Sequence, residues 1–308
     1  MPVSVVLLVV ASALAHASWN ALLKRCRDAE HAVVAMMFLA ATSSALFAVA
    51  LGMPAPPPTS LAWCIAAGVL EAGYFVTLAR ALSRAPLGTV YTVVRGGALV
   101  VVWPISVLAL GEPVTLPRAL GTMLVVLGLA ATGTSERSAA QRAALAKEAA
   151  SAQEAASALP APGGAAATTR AARSGLAVAA ICALFVGAYH LAYKLALSSG
   201  GRPEGVVSIS LTTASLLNIA ALGSKRRLAL TAIRTQPIRI VAGGLLASAG
   251  FLVFLSAMKD AGAGVVLTLR NTSILFAQVL AFALGERPRR LGLVGAGLVT
   301  AGAILLAR

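Results

Sequence analysis

Residues 88–110 read GTVYTVVRGGALVVVWPISVLAL. A helix needs roughly 20 residues to cross a bilayer, so this run is long enough. Yet Arg95 lies well inside it, followed at once by Gly96 and Gly97. A charge near the middle of a spanning helix is disfavoured by about 2.5–3.5 kcal/mol on insertion scales, so a polar cavity or a partner must compensate. Residues 262–284, GAGVVLTLRNTSILFAQVLAFAL, repeat the arrangement with Arg270 at a similar depth. One buried arginine in each half of the chain is the sharpest signal in the sequence.

The composition around these runs fixes the class. Of 308 residues, 59% are hydrophobic and 11% charged, against about 45–50% and 25% for a soluble globular chain. This is the composition of an all-α integral membrane protein. The net charge of +15 reads as basic loops facing an anionic leaflet, and no basic domain outside the loops points to nucleic acid. Cys26, Cys64 and Cys182 have no metal or redox spacing, so no metal or cofactor is implied. The first run carries Ala15-His16-Ala17, which resembles a cleavage site. No basic segment precedes it, however, and Lys24 and Arg25 follow it, so it reads as a retained spanning helix.

Apolar runs separated by proline, glycine or charge give ten candidate spans: 3–23, 32–51, 61–82, 88–110, 116–133, 175–197, 205–222, 238–258, 262–284 and 291–307. Most prolines fall between spans. Pro104 falls inside the fourth, where with Gly96 and Gly97 it predicts a kinked or broken helix. Residues 134–174 differ in composition. They are rich in Ala, Ser, Arg and Glu, pass through Pro160-Ala161-Pro162-Gly163-Gly164, and read as a flexible linker whose first part can be helical. The chain thus divides into a first five-span unit at 1–133, the linker at 134–174 and a second unit at 175–308.

The two units read as copies. Gly111-Glu112, Gly121 and Gly128 recur 174 residues later as Gly285-Glu286, Gly295 and Gly302. Trp19-Asn20 with Lys24 recurs 170 residues later as Tyr189-His190 with Lys194. An odd number of spans per copy inverts the second copy in the membrane, a recurrent plan among secondary transporters. Loops after odd-numbered spans, the linker included and counting the first three residues of the span that follows, hold 17 basic residues against 4 in the even loops and C-terminal tail. The odd loops are therefore expected to be cytoplasmic, with both termini outside.

The tandem copies, the Trp19-Asn20 pair and the doubled Gly-Glu signature resemble the EamA-type branch of the drug/metabolite transporter superfamily. The resemblance covers the whole chain except the linker. It implies ten transmembrane helices in two inverted five-helix repeats. It also implies a central cavity lined mainly by the third, fourth, eighth and ninth spans, and solute movement by alternating access. The Trp-Asn start is similar to a subgroup associated with phosphonate utilisation. Family members usually have cytoplasmic termini, and the loop charges here depart from that.

Several residues are candidates for chemistry. Glu71 is the only carboxylate deep in a span and shares a helix face with Tyr74. It suits a proton-coupling acid or a counter-ion to Arg95 and Arg270; the competing reading is a structural ion pair locking the third span to the fourth. Tyr91 and Arg95 face one way, and a guanidinium can grip a carboxylate or phosphonate with two parallel hydrogen bonds; the competing reading is helix packing. Asn271, and Gln278 seven residues on, suggest a polar stripe beside Arg270. His16 and His190 are proton-relay candidates or satisfied packing histidines. Trp19 and Tyr189 suit interfacial anchors, and Lys24, Lys194 and Arg80 suit snorkelling side chains. Glu112 and Glu286 read as turn and gate-latch residues. Gly121-Gly128 and Gly295-Gly302 form small-residue stripes through which the fifth and tenth spans can pack.

The expectation is a non-enzymatic secondary transporter of a small polar, anionic or zwitterionic metabolite, multi-pass in a bacterial inner (plasma) membrane. Its partners would be its solute and membrane lipids, with no nucleic acid, and it would act as a monomer. The alternatives are efflux of amino acids or cationic drugs with Glu71 as the cation site and, more remotely, an intramembrane enzyme acting on a lipid-linked phosphate.

Overall fold

The computed structural model describes residues 3–110, 115–155, 164–261, 270–287 and 289–306. Among them there is no strand, and the helices follow the apolar runs. They are α1 (Val3–Lys24), α2 (Ala29–Ala50), α3 (Pro58–Arg84), α4 (Leu87–Leu110), α5 (Leu116–Ala155), α6 (Gly164–Ser198), α7 (Pro203–Leu222), α8 (Arg226–Thr235), α9 (Pro237–Ala261), α10 (Ser273–Ala283) and α11 (Arg290–Leu306). Prolines open α3, α7 and α9, where the missing N–H is one the helix would leave unused. Asp28 caps α2 by accepting from His31 N at 3.2 Å. Gly223, at φ +52°, ends α7 in a conformation that side chains resist.

Seven of the described helices are long and apolar enough to cross a membrane, and three shorter apolar helices accompany them. Burial is inverted relative to a soluble protein. Ile238, Val49, Phe282 and Val279 lie exposed, while His16, Asn20, Glu71, Arg95, His190 and Arg270 are buried. Lipid is the solvent that makes this arrangement favourable.

The packing is symmetric under exchange of the two halves of the chain, one carrying α1–α5 and the other α6–α11. α3 packs on α6 as α1 packs on α9; α4 on α6 as α1 on α10; α2 on α9 as α7 on α3. The broad α5–α11 contact exchanges with itself. At its centre a Cβ on Gly128 would lie 2.6 Å from Gly295 O, and one on Gly302 would lie 2.5 Å from Gly121 O. The numbers rise along one helix as they fall along the other, so these equivalent helices run antiparallel. The glycine stripes are a backbone-to-backbone seam.

The structure departs from the sequence-based expectations at four places. α4 runs unbroken from Leu87 to Leu110, so Pro104 does not break it. The interruption lies in the ninth span instead, where Asn271 and Thr272 form a turn before α10. The Asn271-Thr272-Ser273 side chains can compete for backbone hydrogen bonds there. Residues 134–155 continue α5, as the alanines of the linker's first part favour, and residues 164–174 are helical as well, forming the start of α6, which the linker reading did not include. At about 1.5 Å per residue, α5 is about 60 Å long, and only its Leu116–Ser135 part is a candidate span. Finally, α8 is an extra short helix with Arg226, Arg227 and Arg234 exposed and Ala229, Ala232 and Ile233 turned inward. The Gly111-Glu112 pair and residues 156–163 and 262–269 lie outside the described residues.

Candidate functional site

The polar side chains inside the bundle form one network fed by both units. On α1, His16, Trp19 and Asn20 occupy positions i, i+3 and i+4 and so share a face. Trp19 Nε1 donates to His16 Nδ1 at 3.2 Å, and Asn20 Nδ2 donates to His16 O at 2.7 Å. Asn20 Nδ2 also reaches the Tyr91 hydroxyl on α4 at 3.5 Å, and the Arg95 guanidinium lies 5.9 Å from the Tyr91 ring centroid. From the second unit, Arg270 Nη2 lies 3.2 Å from His16 Nδ1. The Arg270 guanidinium rests over the Phe254 ring at 3.7 Å and near Phe251 at 5.2 Å. His16 therefore joins the two arginines' surroundings.

Glu71, 0% exposed on α3, accepts from the Tyr193 hydroxyl on α6 at 2.5 Å. Tyr74 packs against Tyr189, with ring centroids 5.3 Å apart, and Tyr189 stacks on His190 at 4.4 Å. Among the described residues Glu71 makes no ion pair with either arginine. The competing reading of Glu71, an ion pair locking the third span to the fourth, is not what the described residues show; its contact is a hydrogen bond from the sixth span.

The two histidines present opposite tautomers. Trp19 Nε1 and an arginine nitrogen can only donate, so Nδ1 of His16 must be an acceptor, and its neutral ring carries the proton on Nε2. His190 Nδ1 sits 2.6 Å from Val186 O, a pure acceptor, so this ring donates from Nδ1 and leaves Nε2 bare.

Unsatisfied groups mark the site. Among the described residues, buried polar atoms without a hydrogen-bond partner include Arg95 Nη2, Arg270 Nε and Nη1, Glu71 Oε2, the Tyr189 hydroxyl, His190 Nε2 and Asn20 Oδ1. Buried groups of this kind are rare unless water, an ion or a ligand completes them. A buried charge costs several kcal/mol in desolvation. A cation–π contact returns about 2 kcal/mol and a hydrogen bond to a charged group about 1.5–3. Arg270 has both and still keeps two nitrogens open.

Other expected site residues lie differently. Asn271 is buried beside Arg270 in sequence, but Gln278 sits apart, donating to Gly88 O at 3.2 Å and Thr92 Oγ1 at 3.3 Å. Trp19 and Tyr189 are fully buried, not interfacial. Lys24 does not snorkel: it donates to Leu82 O at 2.5 Å and Ala85 O at 2.7 Å, and it lies 3.8 Å from Glu286. Arg80 pairs with Glu30 at 3.3 Å, whereas Lys194 is exposed. Tyr193, Phe251 and Phe254 join the site from structure; the aromatic pair at i and i+3 in the eighth span was its visible trace. Among the described residues no group of His, Cys, Asp or Glu could hold a metal.

The family model described as "EamA-like transporter family" matches residues 3–134 and 173–308. The chain belongs to the EamA-like transporter family. As an EamA-like protein it is a multi-pass integral membrane transporter of the drug/metabolite type, which implies small-molecule cargo rather than catalysis. A solved structure described only as "Crystal structure of protein" is similar over 98% of this chain and 97% of that one, with a TM-score of 0.59 and 18% identity. That likeness shows the fold alone. No curated protein matches the chain.

Proposed function

We propose that the protein is a secondary transporter that moves a small anionic or zwitterionic metabolite by alternating access. It would use ten spans in two inverted five-helix repeats, at 1–133 and 175–308. The observation that carries this reading is the set of open guanidinium nitrogens, Arg95 Nη2 with Arg270 Nε and Nη1, buried in one network. An anionic group of the solute completes them. Glu71, Tyr74, Tyr91 and Asn271 complete the binding wall. Glu71 Oε2, which has no partner among the described residues, meets an amino group or takes up the coupling proton. His190, with Nε2 bare, suits a proton relay better than His16, whose Nδ1 is held by two donors.

The same open oxygen of Glu71 favours amino-acid efflux as a second reading. A screen for thermal stabilisation of the purified protein by amino acids, carboxylates and phosphonates selects the solute. Arg95→Gln and Arg270→Gln are then each expected to weaken its binding about tenfold to hundredfold, from 1.5–3 kcal/mol per charged hydrogen bond, and to reduce proteoliposome uptake. Arg→Lys keeps the charge and loses the planar fork, so a smaller loss is expected. Unchanged binding and uptake in both glutamine variants overturns the reading.

A further inference from the structure

A cavity of about 280 Å³ lies away from the arginine network, between the start of α4, the part of α5 near Ser135 and the α10–α11 connection. Thr89, Ser135, Gln278, Glu286, Arg287 and Arg289 are among its walls. Its charge balance is positive. Glu286 is engaged by the Leu87 N–H at 2.8 Å and by Lys24 at 3.8 Å. Arg289 reaches Ser135 O at 3.3 Å, and Arg287 and Arg289 are both exposed at the mouth. With Glu286 set against Arg287 and Arg289 the lining keeps a net excess of one positive charge, and a cleft with a net excess of one sign concentrates the opposite sign.

The inner wall of this cavity is a cross-strap. Gln278 on α10 donates to Gly88 O and to Thr92 Oγ1 on α4. A side chain at position 88 would collide with the Gln278 amide, so glycine there is what lets the strap close. Thr92 is fully buried, and along α4 it adjoins Tyr91 and lies one turn before Arg95. The strap therefore stands between the cavity and the arginine network.

We infer that this cavity is a peripheral binding site for a small anion, and that Gln278 is the gate between it and the buried arginines. The anion is drawn in by Arg287 and Arg289. It reaches Arg95 only when the Gln278 amide leaves α4 and the Lys24–Glu286 contact opens beside it. The inference rests on the transport reading in one respect, that the route beyond the gate leads to a solute site.

Charged thiol reagents test it without a known solute. In purified protein with Cys26, Cys64 and Cys182 replaced by serine or alanine, single cysteines are placed as Thr89→Cys, Ser135→Cys and Thr92→Cys. The probes are an anionic and a cationic methanethiosulfonate, each normalised to its rate with a free thiol. At positions 89 and 135 the anionic reagent is expected to react about fivefold faster than the cationic one. That is the ratio for a net unit charge at roughly 8 Å in water-like dielectric. Arg287→Gln with Arg289→Gln leaves Glu286 as the charge in the lining and is expected to remove the anionic preference and turn it toward the cationic reagent. The cysteine at 92 is expected to react slowly with Gln278 in place and faster with Gln278→Ala. With both arginines in place, equal rates for the two reagents, or a cationic preference, overturn the anion site. A cysteine at 92 that reacts as fast as one at 89 with Gln278 present overturns the gate. Failure of the transport reading shows elsewhere, as absence of solute flux in proteoliposomes.

Discussion

Adding one methyl group at Gly128 tests the α5–α11 seam. A Cβ there would lie 2.6 Å from Gly295 O, 2.8 Å from Val299 Cγ2 and 2.9 Å from Val299 N. Two of these atoms are backbone and cannot rotate away, so the helices must separate. Overpacking of this kind costs about 1–3 kcal/mol. Alanine is also a better helix former than glycine by about 1 kcal/mol, which would mask part of the loss. Gly133, on the same helix, has nothing within 4 Å of an added Cβ, and Gly297 on α11 has the same freedom. The propensity gain is common to all three changes and cancels in their difference. Gly128→Ala is therefore expected to be about 1–3 kcal/mol less stable than Gly133→Ala or Gly297→Ala. At about 2 °C per kcal/mol for a chain of this size, thermal unfolding in detergent would separate them by about 2–6 °C. Gly128→Ala with Gly295→Ala should cost little more than either alone, because one separation of the helices admits both methyls. Equal melting temperatures for Gly128→Ala and Gly133→Ala would refute the backbone seam.

Two further outcomes follow from the site and the loops. Tyr193→Phe removes the donor to Glu71 and strands a buried carboxyl oxygen, with an expected loss of about 1–3 kcal/mol. Glu71→Gln keeps an acceptor for Tyr193 and should melt higher than Tyr193→Phe; the reverse order would show that the bond does not hold α3 to α6. For topology, a cysteine placed in the linker should be labelled from the cytoplasm and one added after Arg308 from outside, as the loop charges require, and the opposite pattern would reverse the orientation. Cys26 needs replacement first, although burial pushes its thiol up and slows its reaction, with Arg239 pulling the other way.

Much of this was readable from residue order, and the rest was hidden for identifiable reasons. The apolar runs located nearly every helix, because in lipid each spanning segment must satisfy its own backbone. The repeat of Gly121 and Gly128 as Gly295 and Gly302 announced the seam. α8 escaped notice because a search for apolar runs passes over ten residues whose inward face is only Ala229, Ala232 and Ile233. Gln278 was assigned to the Asn271 face by helical spacing. The turn at Asn271–Thr272 resets that register, so the two side chains part company. Lys24 looked like a snorkelling lysine because its partner, Glu286, comes from the other unit. Arg95, Arg270 and Glu71 were singled out by burial alone, but one sequence could not reveal that Tyr193, rather than an arginine, would meet Glu71.

The fourth and ninth spans hold equivalent places in the two units, yet α4 is continuous while the ninth span turns at Asn271–Thr272. Two identical copies would make the forms open to either side degenerate, each populated half the time. A turn present in only one copy lifts that degeneracy. Every 1.4 kcal/mol of difference shifts the resting population tenfold. Under the alternating-access mechanism proposed above, the three polar residues Asn271, Thr272 and Ser273 would set which way an unloaded molecule faces, and so which compartment it samples first.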